Sequence, residues 1–188
     1  MRFIWPNKPI HIYNPWKLMG VLKPLSAWVV QPKWNGKRVE IACDEKGNIT
    51  LYGRQGQKFP ERWPWLSDIP LERPWFVDGE LLRDKRIFVW DFALLGGKSV
   101  FKEPYESRLA HLVEKLPKAL TQDGQTVQCV ETLPATSYEA LLGREGDPFL
   151  EGIVWKNRAA TDLWGVHSTS QVSSCFKFRF AECNPNGT

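Results

Sequence analysis

Residues 31–38 read QPKWNGKR, with Lys33 between a β-like run and a glycine turn and Arg38 opening the next run. A lone loop lysine is ordinarily solvated, but an amine beside a glycine turn and flanking cations can lose its proton and attack a phosphoryl group. Asp78 and Glu80 stand two apart in VDGEL, residues 77–81. On a strand they share one face, where they either hold a divalent cation or a ribose hydroxyl or form a solvated acidic edge. In FKFRF, residues 176–180, three phenylalanines alternate with Lys177 and Arg179, so one face is apolar and the other presents two cations together. The cysteines at 43, 129, 175 and 183 form no Cys-x-x-Cys pair, and the histidines at 11, 111 and 167 lie far from them. That spacing argues against a structural zinc site or a disulfide framework.

Positioning these groups requires short strands. β-like runs occur at 27–31, 38–43, 49–52, 75–82, 87–92, 127–131, 152–156 and 174–180. DEKGN (44–48) and RDKR (83–86) read as hairpin loops. Helical periodicity is clearest over 104–120, where Leu109, Leu112, Val113 and Leu116 repeat at three- and four-residue spacing, and a shorter helix is expected over 138–142. Strands outnumber helices and are joined by hairpins more than by crossovers. The expectation is an α+β fold, antiparallel sheets flanked by helices.

The chain has 188 residues, 43% of them hydrophobic and 24% charged, enough for one buried core. Ten tryptophans and ten phenylalanines should supply much of that core. With neither internal repeat nor linker composition, one domain over 1–188 is expected. No apolar run approaches the ~20 residues that span a bilayer, and the amino end lacks the layout of a signal peptide. A soluble, cytoplasmic protein of a reducing compartment with no membrane partner is expected. Lys plus Arg number 25 against 21 Asp plus Glu, a net charge of +4 that permits a polyanionic partner or simply keeps the domain soluble.

KWNGKR is followed in order by GRQG (53–56), VDGEL (77–81), EGIVWK (151–156) and FKFRF (176–180). Over residues from about 28 to 180 the sequence thereby resembles the covalent nucleotidyltransferases, the family of ATP-dependent DNA and RNA ligases and mRNA-capping enzymes. Arg54 in Gly-Arg-Gln-Gly and the segment VWDFALLGGKS (89–99) lean towards the ligases. The resemblance implies an ATP-grasp-like ligase adenylation (nucleotidyltransferase) domain. It implies that Lys33 attacks the α-phosphorus of ATP, expels pyrophosphate and holds AMP as a phosphoramidate, with Arg38, Lys177 and Mg²⁺ lowering its pKa. Arg38 and Arg54 would contact phosphate or ribose, and Lys177 and Arg179 the α-phosphate. Glu80 would hold ribose or metal, and Glu151 the metal, Mg²⁺ or Mn²⁺. Pro32, Asn35, Val154 and Lys156 complete the implied nucleotide contacts. Trp90 stands where ligases place an adenine-stacking Phe or Tyr, and Ile153, Val154 and Trp155 are expected on the opposite wall. Gln31 stands where many ligases carry a glutamate that accepts from the adenine amino group, a bond a glutamine carbonyl can also accept.

The sequence departs from the family pattern at three points. Asn35 replaces the usual aspartate of Lys-x-Asp-Gly. Eight residues follow Phe180, which leaves no room for the OB domain that clamps nucleic acid, so an OB-containing or clamp partner is an expectation. Strict alternation from Glu151 would also put Lys156 on the opposite face. The leading expectation is a polynucleotide ligase sealing 5′-phosphate/3′-hydroxyl nicks in duplex nucleic acid, DNA slightly ahead of RNA, as in DNA repair and replication. An RNA ligase, a capping-type guanylyltransferase and an inactive nucleic-acid end-binding module are the alternatives. Lys37, Lys58, Arg62, Lys98, Lys102 and Arg158 are the candidate phosphate contacts.

Overall fold

The computed structural model describes residues 5–60, 62–116, 119–165 and 171–180. In chain order the strands are β1 (Trp5–Pro6), β2 (Lys8–His11), β3 (Trp28–Trp34), β4 (Lys37–Cys43), β5 (Ile49–Gly53), β6 (Trp75–Leu81), β7 (Arg86–Leu95), β8 (Lys98–Ser99), β9 (Leu120–Gln122), β10 (Gln125–Cys129), β11 (Leu133–Pro134), β12 (Leu150–Asn157), β13 (Trp164–Gly165) and β14 (Gln171–Arg179). The α-helices are α1 (Pro15–Val21), α2 (Tyr105–Lys115) and α3 (Tyr138–Leu142).

Two mainly antiparallel sheets result, beside an antiparallel pair of β1 with β13. One runs β5-β4-β6-β7-β10-β9 with β8 beside β7, and the other runs β11-β3-β12-β14-β2. The pairs β7/β10 and β2/β14 are parallel. Alternation decides which residues meet. Val39, Ile41, Trp75, Val77 and Ile87 pack with Leu66 and Leu112 on the outer face of the first sheet. Trp28, Val30, Ile153 and Trp155 pack with Leu18 of α1 and Leu141 of α3 on the outer face of the second. Val29, Ala42, Phe76, Ala93, Tyr105, Trp164 and Cys175 join the two inner faces. The fold class expected from the sequence is the one observed.

The hairpin at 44–48 closes as expected, with Asp44 Oδ1 accepting the Lys46 and Asn48 amides at 2.9 and 2.8 Å. The expected helix over 104–120 is shorter. It ends at Lys115, because Leu116 precedes Pro117 and is forced out of the helical region, with φ −127° and ψ 58°. Leu120 belongs to β9, and 117–118 lie outside the described residues. Val113 is 49% exposed and does not join the apolar face assigned to it. His167 and Cys183 also lie outside the described residues, while Cys43, Cys129 and Cys175 are free thiols.

Candidate functional site

The inner faces of the two sheets part to leave a cavity of about 360 Å³. That volume lies within the roughly 300–1,000 Å³ typical of small-molecule sites. Strand β3 contributes Gln31, Pro32 and Lys33, and β12 contributes Glu151, Val154 and Lys156. Strand β14 adds Lys177 and Arg179, β4 Arg38, β6 Asp78 and Glu80, β7 Trp90, and the turn after β5 Arg54.

Register explains the convergence. In the central strand β12, Gly152 lies opposite Lys33 on one side and Arg179 on the other, and Val154 lies between Gln31 and Lys177. From Leu150 to Gly152 the strand takes two steps against one step of β3, so Glu151 is the extra residue of a bulge. A bulge reverses the facing of the residue it inserts. Glu151 and Lys156 therefore border the same cavity, against the expectation from strict alternation. The same parity sends Ile153 and Trp155 into the core on the far face, so of the three residues expected on that wall only Val154 borders the cavity. A Cβ on Gly152 would stand 2.0 Å from the Phe178 carbonyl oxygen, so only glycine lets β12 and β14 close there.

The Lys33 amine donates to Glu151 Oε2. Arg179 Nε lies against the other carboxylate oxygen as an ion pair that lacks hydrogen-bond geometry. Glu80 Oε1 accepts the Gly36 amide at 3.1 Å. A side chain at Gly36 would strike the Leu81 carbonyl oxygen at 2.5 Å, so a glycine is required for the turn to lie this close to β6. Burial pushes the Glu80 carboxyl up to about 7, with Lys33, Arg38 and the Gly36 amide pulling it back. Burial also lowers the Lys177 ammonium, helped by the charges of Arg179, Lys33 and Arg54. Arg38 grips Asp78 with two nitrogens, Nε at 2.8 Å, and Trp90 Nε1 donates to the same carboxylate at 2.6 Å.

Trp90 reaches the cavity through a second bulge, since Asp78 pairs Asp91 while Gly79 pairs Val89. Its indole lies 5.7 Å from both the Arg38 guanidinium and the Lys156 ammonium, so cations already approach the ring expected to stack on adenine. Behind the bulge, Asp91 is held by Arg108 of α2 at 2.7 and 2.9 Å and by Trp164 at 3.0 Å, all buried.

Asn35 is not among the residues bordering this cavity. It borders a second hollow of about 670 Å³, which shares Gly36 with the first and carries Lys37, Arg62, Arg83 and Lys85. Lys37 and Arg62 were expected on a basic face; Arg83 and Lys85 were not. Of the other candidates, Arg158 is paired with Glu106 at 2.9 Å. Sequence reasoning also missed Asn7, Lys8, Leu163 and Cys175, which border the nucleotide-sized cavity, and Tyr105 and Thr132 behind it. Asn7 and Lys8 arrive with β2, whose parallel pairing with β14 has no local signal.

Among the described residues no three His, Cys, Asp or Glu side chains gather to hold a metal by themselves. No helix among them is long and apolar enough to cross a membrane.

No family model and no curated protein matches the chain. Among solved structures it is similar to the ligase domain of LigD from M. tuberculosis, at 16% identity over 95% of this chain and 61% of that one, with a TM-score of 0.63. It is similar to mycobacterial DNA ligase D complexed with ATP and MES, at 16% identity, 95% and 62% coverage and a TM-score of 0.64. It is also similar to a structure of Lig E DNA ligases, at 15% identity, 92% and 69% coverage and a TM-score of 0.57. The chain thus spans 61% and 62% of the length of the first two. The fold is that of a DNA ligase nucleotidyltransferase domain, in keeping with the resemblance carried by the motifs.

Proposed function

We propose that the chain is the adenylation unit of an ATP-dependent polynucleotide ligase, acting on nicked duplexes with DNA favoured over RNA. The observation that carries this reading is a single one. The Lys33 amine, paired with Glu151, stands in a nucleotide-sized cavity with Arg38, Lys177 and Arg179 around it.

In this reading the Lys33 nitrogen attacks the α-phosphorus of ATP. The N–P bond forms as the bond to pyrophosphate breaks, and the amine proton leaves to the neighbouring carboxylate or water. Glu151 holds the amine in place before attack, and Lys177 and Arg179 neutralise charge growing on the α-phosphate oxygens. The lysyl-AMP then passes its adenylate to a 5′-phosphate, and the 3′-hydroxyl displaces AMP and closes the strand.

A magnesium or manganese ion would be held by Glu80 and Glu151. Two carboxylates suit a hexacoordinate ion that draws its remaining ligands from phosphates and water. The raised Glu80 carboxyl fits this, since a buried acid that resists ionisation gains most from a cation. When bound, the ion supplies neutralisation of phosphate charge. Asn35 is not among the residues that border the cavity, although Trp34 and Gly36 on either side of it are, and this supports reading the site as active. The hollow of Lys37, Arg62, Arg83 and Lys85 suits a phosphodiester backbone entering beside Gly36. The setting proposed is cytoplasmic, at breaks left by DNA repair and replication, with an OB-containing or clamp partner completing the grip.

Incubation with labelled ATP or GTP, mass spectrometry of the adduct and sealing of matched nicked DNA and RNA duplexes test the proposal. The expected outcome is an AMP adduct on Lys33 alone, abolished by Lys33→Ala. An adduct on Lys37, or labelling by GTP in preference to ATP, would overturn it.

A further inference from the structure

Gln31 Nε2 lies 2.7 Å from the Tyr105 hydroxyl and 2.7 Å from Thr132 Oγ1. Each hydroxyl has one proton to give. Tyr105 gives its proton to the Trp90 main-chain carbonyl at 3.1 Å, and Thr132 gives its own to the Val130 carbonyl at 3.3 Å. Trp90 is the residue that the β7 bulge leaves without a partner on β6. The Lys156 ammonium adds a further donor to Tyr105 at 3.4 Å. Towards Gln31 both hydroxyls can therefore only accept. The glutamine must present its NH₂ to them, and its carbonyl oxygen is left for whatever enters the cavity it borders. Turning the amide over would set its oxygen against two hydroxyls already committed elsewhere. Burial also raises the Tyr105 hydroxyl well above its ordinary range, so that it keeps the proton this chain of bonds requires.

We propose that Tyr105 and Thr132 are positioning residues for nucleotide choice, locking the Gln31 amide so that the cavity offers one acceptor to the base and selects a 6-amino purine over a 6-oxo purine. This rests on the nucleotide reading above. Adenine brings a donor to that oxygen, whereas guanine or hypoxanthine sets carbonyl against carbonyl. Neither positioning residue borders the cavity. Their loss should therefore alter discrimination without removing a group that touches the ligand.

The test is calorimetric affinity for AMP, IMP and purine riboside 5′-monophosphate, which lacks the 6-substituent. The parent protein should prefer AMP over the unsubstituted purine by about tenfold, the worth of one hydrogen bond, and bind IMP more weakly still. Tyr105→Phe and Thr132→Val free the amide to turn, and the preference should fall to about twofold or less. Thr132→Ser keeps the hydroxyl and should keep the preference. General damage to the pocket would weaken all three nucleotides together. If Tyr105→Phe does not fold, the half-buried Thr132 carries the test alone. Variants that retain the parent's preference, or a parent that binds the three alike, overturn the inference. A parent that prefers AMP but takes no covalent label from ATP upholds the inference and overturns the ligation reading.

Discussion

Replacing Glu40 with glutamine should remove a pH-dependent weakness built into the floor of the site. Glu40 is wholly buried on β4, opposite Asp78, with Arg38 Nε 3.9 Å from its Oε1, and neither of its oxygens has a hydrogen-bond partner. Burial first, and the Asp78 charge second, push its carboxyl from an ordinary 4.5 up to about 9, with Arg38 opposing them. The folded protein therefore keeps a proton that the unfolded chain has released. The stabilisation is full below the unfolded value and is lost as pH rises towards the folded one, at a little over 1 kcal/mol per pH unit. Glutamine has the shape of the neutral acid and no proton to lose. Between about pH 6 and about pH 8 the advantage of Glu40→Gln over the parent should grow by roughly 3 kcal/mol. Urea unfolding of both proteins across that range, at constant ionic strength, measures it. Glu80, raised to about 7, gives the parent a slope of the same sign, but both proteins keep Glu80 and the difference cancels it. Parallel curves for the two proteins would mean that Glu40 is ionised in the fold, and would refute the reasoning. The neutral acid matters to the site because a charged one would compete with Asp78 for Arg38.

Gly152→Ala drives a methyl group against the Phe178 carbonyl oxygen, so it should cost about 1–3 kcal/mol in urea unfolding and cut labelling of Lys33 at least tenfold as Glu151 shifts. Arg108→Met strands the buried Asp91, and a loss of roughly 3–5 kcal/mol is expected in the same assay. Asn35→Asp, at a residue that does not border the cavity of Lys33, should leave Lys33 labelling within about twofold of the parent; a large loss would return Asn35 to the proposed nucleotide site. The double change Arg83→Ala with Lys85→Ala should leave labelling intact and flatten the dependence of nicked-duplex affinity on log salt by about 2, at roughly 0.9 for each phosphate no longer neutralised.

Those parts of this protein whose cause is local are legible in the amino-acid order. Phe176, Phe178 and Phe180 alternate with Lys177 and Arg179, and that period of two is enough to say which face is core and which carries charge. Asp78 and Glu80 share a face for the same reason, and the ordered motifs around Lys33, Arg54, Glu80, Glu151 and Lys177 mark residues that do border one cavity. The rest depends on how the strands and sheets meet. One extra residue at Glu151 and another at Trp90 reverse the parity of their strands, and a bulge is a mismatch between two strands that neither strand's own pattern records. That mismatch put Lys156 on the same cavity face as Glu151 and sent Ile153 and Trp155 into the core. Tyr105 and Thr132 reach Gln31 across 74 and 101 residues of chain, and Arg83 and Lys85 join Lys37 in one hollow by the packing of separate hairpins. Contacts of such separation depend on how whole sheets meet, so their partners carry no common spacing in the sequence.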